Sequence, residues 1–193
     1  MKKKATVRVT REGRYYPHVE FLHGAGVHLS HVEAKHDGFF YSLLSSFLLS
    51  AFSLEAFLNY AGPIVEKVWS EFDRAPTLAK LVHVCTVVGV SVDFSRRPFQ
   101  TINELFQFRN RLAHPRDEKL KVQSDEDIES YQTVLYSQPL PKWMEYATVA
   151  RARTCSEDIQ AVFDLIEATP PFEKVRYAPL IGWSGSATTI QNT

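Results

Sequence analysis

The chain has 193 residues, 45% of them hydrophobic, enough for one sizeable core with short terminal additions. Lysine plus arginine and aspartate plus glutamate both number 22, which excludes a global basic field that would bind nucleic acid indiscriminately and confines any RNA affinity to a local patch. Cys85 and Cys155 have neither metal-ligand spacing nor a disulfide framework, and the basic start Met1 to Lys4 lacks an apolar signal core, so reduced thiols and a cytoplasmic location are expected.

In chain order, Val7 and Val9 alternate with polar residues and Arg11 to Arg14 reads as a turn before Tyr15, Val19, Phe21 and Leu22. That pattern predicts a short hairpin or extended arm over residues 1–31. His18, His23, His28, His31 and His36 crowd this region, yet only His28 and His31 share a helical face, and a zinc site needs a closed ligand set. Scattered polar histidines in a loop, with no metal, are the expectation. A long helix follows from about Val32 to Tyr60. Its stretch from Phe39 to Leu54 carries no charge over 16 residues. A membrane span needs about 20 apolar residues, and Ser42, Ser46, Ser50 and Ser53 recur at helical spacing, so a buried helix with a small-residue seam for a neighbouring helix is expected, with no membrane.

Gly62-Pro63 predicts a break, then a short helix from Ile64 to Phe72. Pro76-Thr77 opens a helix to about Val88, with Leu78, Leu81, Val82, Cys85 and Val88 inward. Ser91 to Pro98 reads as a connector to a helix whose apolar positions are Phe99, Ile102, Leu105, Phe106, Leu112 and Ala113. Beyond it, Ser124 to Asp127 resembles a helix cap, with a short helix or turn through Tyr136. A last long helix starts at Lys142 or Thr148, buries Ala152, Cys155, Ile159, Val162, Phe163 and Ile166, and stops at Pro170-Pro171. The tail from Phe172 is expected to pack at first and end loose. The fold class is therefore all-α, a bundle of four to five helices over residues 32–169, with an N-terminal arm (1–31) and a C-terminal tail (170–193). Gly-rich phosphate loops, a Gly-x-Ser-x-Gly elbow and Cys-x-x-Cys pairs are absent, which removes several enzyme classes.

The helix from Phe99 ends in Arg109-Asn110-Arg111-Leu112-Ala113-His114, with Pro115 next. Proline disfavours the α conformation in the residue before it, so His114 is expected on the helix shoulder. His114 lies over Asn110 and about 140° around from Arg109. Arg109 falls on the apolar stripe between Leu105 and Leu112. A guanidinium there needs a partner, either a carboxylate or an anion in a cleft or interface. Glu55, beside the serine seam, is the acid most suspected of holding it; Glu104 is the other. The plain alternative makes Arg109 half of such an ion pair and His114 a helix cap. Between Arg96 and Lys121, seven basic residues, Arg111, Arg116 and Lys119 among them, face three acids. That surplus can hold a few phosphates with salt-dependent affinity, or simply be a solvated helix end.

The motif Arg, Asn, three residues, His, placed after a helix carrying Ser53-Leu54-Glu55-Ala56-Phe57-Leu58-Asn59, resembles the HEPN superfamily of helical nucleotide-binding and RNA-cleaving domains over roughly residues 32–169. By that resemblance Arg109 matches the motif arginine, Asn110 its polar second position and His114 its histidine. It implies a metal-independent endoribonuclease with no cofactor, acting as a homodimer, in a toxin or antiviral-defence role with a neutralising antitoxin partner. The chemistry suits the residues. An imidazole titrates near neutral pH and can act as general acid or base, a planar guanidinium stabilises charge on phosphorus, and Asn110 can orient the ring or bind a phosphate oxygen. One chain supplies one Arg109 and one His114 pointing apart, so a two-fold dimer would gather two of each around one cleft. The alternative is a catalytically silent HEPN-like module that binds a nucleotide, RNA or protein; a purely structural helical dimer leaves Arg109 without a role.

Overall fold

Six α-helices, a 3₁₀ turn at Trp69–Phe72 and a two-stranded ribbon make up the regular structure of a computed structural model that describes residues 6–12, 15–72, 74–114, 117, 119–121, 123, 127, 141–172 and 184–190. In order they are β1 (Thr6–Glu12), α1 (Pro17–Glu33), α2 (Phe39–Val65), α3 (Thr77–Val87), α4 (Phe99–Ala113), α5 (Lys142–Tyr146), α6 (Val149–Glu167) and β2 (Ser184–Ile190). The architecture is an all-α helical bundle, with the ribbon as its extended addition.

The central element is α2, which packs against α1, α3, α4 and α6. Phe47, Ala51, Leu54, Phe57, Leu58 and Ala61 are fully buried along it. The serine seam holds neighbouring helices close. Ser46 Oγ donates to the Ala25 carbonyl at 2.9 Å and Ser53 Oγ to the His18 carbonyl at 2.8 Å, both on α1, while Ser50 Oγ lies 3.3 Å from Ser156 Oγ on α6. A bulky side chain at Ser46 or Ser53 would push α1 off, and at Ser50 α6, because helices approach this closely only over small residues. By length and composition α2 alone among the described helices could cross a membrane, and half of its most apolar window is buried inside the bundle.

Several expectations change. Residues 17–33 form a helix of the bundle rather than the second strand of an arm: Pro17 sits at its N-terminus, and His18, Ala25, Leu29 and Val32 are its buried residues. The histidines from 18 to 31 are therefore helical, not in a loop. β1 pairs instead with β2, antiparallel, Thr6 opposite Ile190 and Glu12 opposite Ser184, so residues Ser184–Ile190 of the tail are a strand and not a loose segment, while the rest of the tail beyond Phe172 lies outside the described residues. Ladder hydrogen bonds come from the backbone and need no apolar pattern, and Thr188, Thr189 and Ile190 are β-branched. Lastly, α2 starts at Phe39, after a reversal in which Lys35 and Gly38 take positive φ, and it runs through Gly62-Pro63 to Val65. Gly62 is there for space: a Cβ would overlap the Trp69 ring, which packs on the helix end.

Of the short helix expected from Ile64 to Phe72 only the 3₁₀ turn Trp69–Phe72 forms, with Val68 exposed; the other helices follow the pattern read from their sequences. α3 buries Leu81 and Cys85 as expected, together with Val84, while Val82 is exposed. α6 buries all six expected residues, and Thr148 Oγ1 caps it by accepting from the Arg151 amide at 3.3 Å. The expected turn or short helix from Ser124 to Tyr136 lies outside the described residues.

Candidate active site

Helix α4 positions the motif. Phe99, Ile102, Leu105, Phe106 and Phe108 anchor its inner face, and Phe108 stacks on Tyr146 with ring centroids 4.8 Å apart. Its N-terminal end is fastened to α6 by Arg97. The Arg97 Nε donates to Asp158 Oδ2 at 2.8 Å and Nη2 to Oδ1 at 2.8 Å, a two-pronged contact to a buried carboxylate.

The other end carries Arg109. Its side chain is 31% exposed, Nη2 lies 4.0 Å from Glu55 Oε2 on α2, and Nη1 donates to Asn110 Oδ1 at 3.3 Å. Of the two acids considered, Glu55 is the neighbour. Glu104 is engaged elsewhere, accepting from Arg151 Nη1 at 3.0 Å and from Gln100 Nε2 at 3.4 Å. At 4.0 Å the Arg109–Glu55 pair is at the outer limit of an ion pair, weak enough for the guanidinium to exchange its carboxylate for another anion.

His114 is the residue that closes α4. Its φ of −129° and ψ of 58° are not helical, its amide donates to the Asn110 carbonyl at 3.1 Å, and the side chain is exposed. Among the described residues its imidazole has no hydrogen bond or ion pair. The geometry thus groups Arg109, Asn110 and Glu55, with His114 one turn beyond Asn110. Arg111 falls on a different flank, in a cleft with Glu104, Gln107, Phe108, Tyr146 and Arg151. Lys119 is exposed beyond the helix, and Arg116 lies outside the described residues.

In comparisons with known proteins, no family model, curated protein or solved structure matches this chain.

Several charged and titratable groups escape a motif-based reading. Asp158 sits between Cys155 and Ile159 on the apolar stripe of α6, a position as conspicuous for a carboxylate as Arg109's is for a guanidinium. Arg151 lies 4.6 Å over the Tyr146 ring and pairs with Glu104; Arg153 pairs with Glu33 across α6 and α1. His18 is buried among Tyr16, Phe57, Tyr60 and Phe163, and two cavities, of about 470 and 410 Å³, flank it. Burial lowers its pKa to about 4, so its ring is neutral near pH 7. Burial likewise pushes the Cys85 and Cys155 thiols up to about 12, which makes them poor nucleophiles. His28, His31 and His36 meet edge to face, at 6.2 and 5.6 Å between successive rings, and among the described residues no group of three possible ligands is placed to hold a metal ion.

Proposed function

We propose that this protein is a metal-independent endoribonuclease of the HEPN type, working as a homodimer whose site combines Arg109, Asn110 and His114 from both chains. The observation that carries the reading is the end of α4: an exposed imidazole outside helical geometry, one turn past an amide and a loosely paired, half-buried guanidinium. In the reaction, the ribose 2′-oxygen loses its proton to one His114 and attacks the adjacent phosphorus. The bond to the 5′-oxygen breaks as the other His114 returns a proton, leaving a 2′,3′-cyclic phosphate and a 5′-hydroxyl. Arg109 leaves Glu55 for the phosphate and offsets the charge that grows on its oxygens. Asn110 orients the ring or donates to a phosphate oxygen.

Self-association has its own support. Tyr41 and Phe52 are exposed and Leu48 half-buried along one line of α2 that runs to Glu55, so an apolar stripe ends beside Arg109. A second copy docked there across a two-fold axis would bring the two α4 ends together. A toxin or antiviral-defence role with a neutralising antitoxin, acting in the cytoplasm, belongs to the same proposal.

The test is cleavage of a labelled structured RNA in EDTA by the purified dimer and by His114→Ala. Activity that survives chelation, yields cyclic phosphate ends, spares the all-deoxy analogue and vanishes in the variant supports the reading. A folded dimer that binds several RNAs in a salt-sensitive way and cuts none would make the protein a silent binding module instead. A monomer at micromolar concentration by light scattering would remove the composite site.

A further inference from the structure

The cleft on the far flank of α4 from Arg109 has its own chemistry. Glu104, Gln107 and Arg111 line one wall at successive turns of α4, and Tyr146 and Arg151 form the other, enclosing about 200 Å³. Tyr146 is held at two places: it stacks on Phe108 at 4.8 Å, and its hydroxyl lies 3.7 Å from Cys155 Sγ. The Arg151 guanidinium carbon lies over the Tyr146 ring, 4.6 Å from its centroid, and Nη1 is tied to Glu104 at 3.0 Å. A cation held on a ring face and by a carboxylate is fixed in orientation before any ligand arrives, yet the Arg151 side chain remains 50% exposed. Arg111 is exposed and makes no ion pair among the described residues. Two guanidiniums against one carboxylate leave the cleft net positive. It also borders the motif, since Arg111 stands three residues before His114 on the same helix.

We infer that this cleft is a subsite for one unpaired ribonucleotide next to the scissile bond, with Arg111 taking its phosphate and the outer face of Arg151 stacking its base. Arginine planes stack bases as aromatic rings do, and only an unpaired base can be splayed onto one. The space, about 200 Å³, is of the size of one base. The enzyme would accordingly cut at single-stranded positions, with Arg109 on one side of His114 and this subsite on the other. The inference rests on the ribonuclease reading and adds the form of substrate.

The probe is a fluorescent single-stranded 2′-O-methyl RNA, which lacks the attacking hydroxyl and cannot be cut, compared with its duplex across a salt series in EDTA. Wild type should bind the single strand more tightly. Arg151→Ala should weaken single-strand binding about tenfold and erase most of the preference over duplex, in line with the loss of one stacked base. Arg151→Lys should keep the salt dependence and still lose the preference, because a lysine carries the charge and no plane. Arg111→Ala, at an exposed position that folding does not need, should weaken both forms and flatten the salt slope. If all three variants bind within twofold of wild type while EDTA-resistant cleavage persists, the subsite is overturned and the ribonuclease reading stands. If wild type binds neither form, the reading fails and takes the subsite with it.

Discussion

The two ends of α4 carry the same kind of interaction at opposite settings. At the N-terminal end Arg97 grips buried Asp158 through two contacts of 2.8 Å; at the C-terminal end Arg109 meets half-exposed Glu55 at 4.0 Å. The first contact fixes where the helix begins relative to α6, and removing either partner strands a charge. The second leaves a guanidinium near its place without saturating it. A helix fastened at one end and lightly held at the other can offer a phosphate a preformed cation at little stability cost.

Arg109→Ala is the strongest test of that contrast. On the proposed ribonuclease reading it should reduce cleavage by about 10²- to 10³-fold, the usual loss for one charge-stabilising donor, while the melting temperature stays nearly unchanged. An equal loss of stability and activity would make Arg109 a structural residue. Acid pH is next in size and acts on the bundle instead. His18 is neutral in the folded protein, with its pKa held by burial at about 4, whereas the unfolded chain takes up a proton below its ordinary pKa of 6.5. Stability is therefore fully present above about pH 6.5, falls progressively as pH drops from there to about 4, and levels off below, for a total loss on the order of 3 kcal/mol. Urea melts at pH 7 and 4.5 should show this loss, and His18→Phe should flatten it.

Arg97→Ala should destabilise the bundle, since it leaves Asp158 buried with its main donor gone, and should lower the melting temperature measurably. Residual cleavage by the folded fraction should be near that of wild type. Glu55→Gln is the smallest change, below about 0.5 kcal/mol, because a half-exposed pair at this distance contributes little. Calorimetry showing a Glu55→Gln loss as large as that of Arg97→Ala would erase the difference between the two ends.

Where apolar residues repeat at helical spacing between clear stops, the sequence is legible. α3, α4 and α6 come out with their buried faces nearly intact, bounded by Pro76, Gly89, Pro98 and Pro170. α1 does not, because its inward residues begin with His18, a polar type, and Gly24 and Gly26 weaken a helical pattern. Gly62-Pro63 reads as a break for the same reason, although Gly62 is there to admit the Trp69 ring and the proline is accommodated in the last turn of α2. The β1–β2 pairing joins segments from the two extremes of the chain, which no local pattern encodes. At the site, Arg109 and its Glu55 neighbour could be anticipated from a cation on an apolar stripe. Arg151 could not, since it sits exposed in the first turn of α6 and gains its meaning from Glu104 and Tyr146.

The serine seam bears on how the chain is made as well as how it is held. α2 is the one described helix apolar enough to be mistaken for a bilayer segment, and a ribosome delivers α1 just ahead of it. The carbonyls of His18 and Ala25 are thus already waiting when Ser53 and Ser46 emerge, so the nascent hairpin of α1 and α2 can cover its most apolar surface before α4 exists. In the order of synthesis, the helix that most needs a partner is the one whose partner comes first.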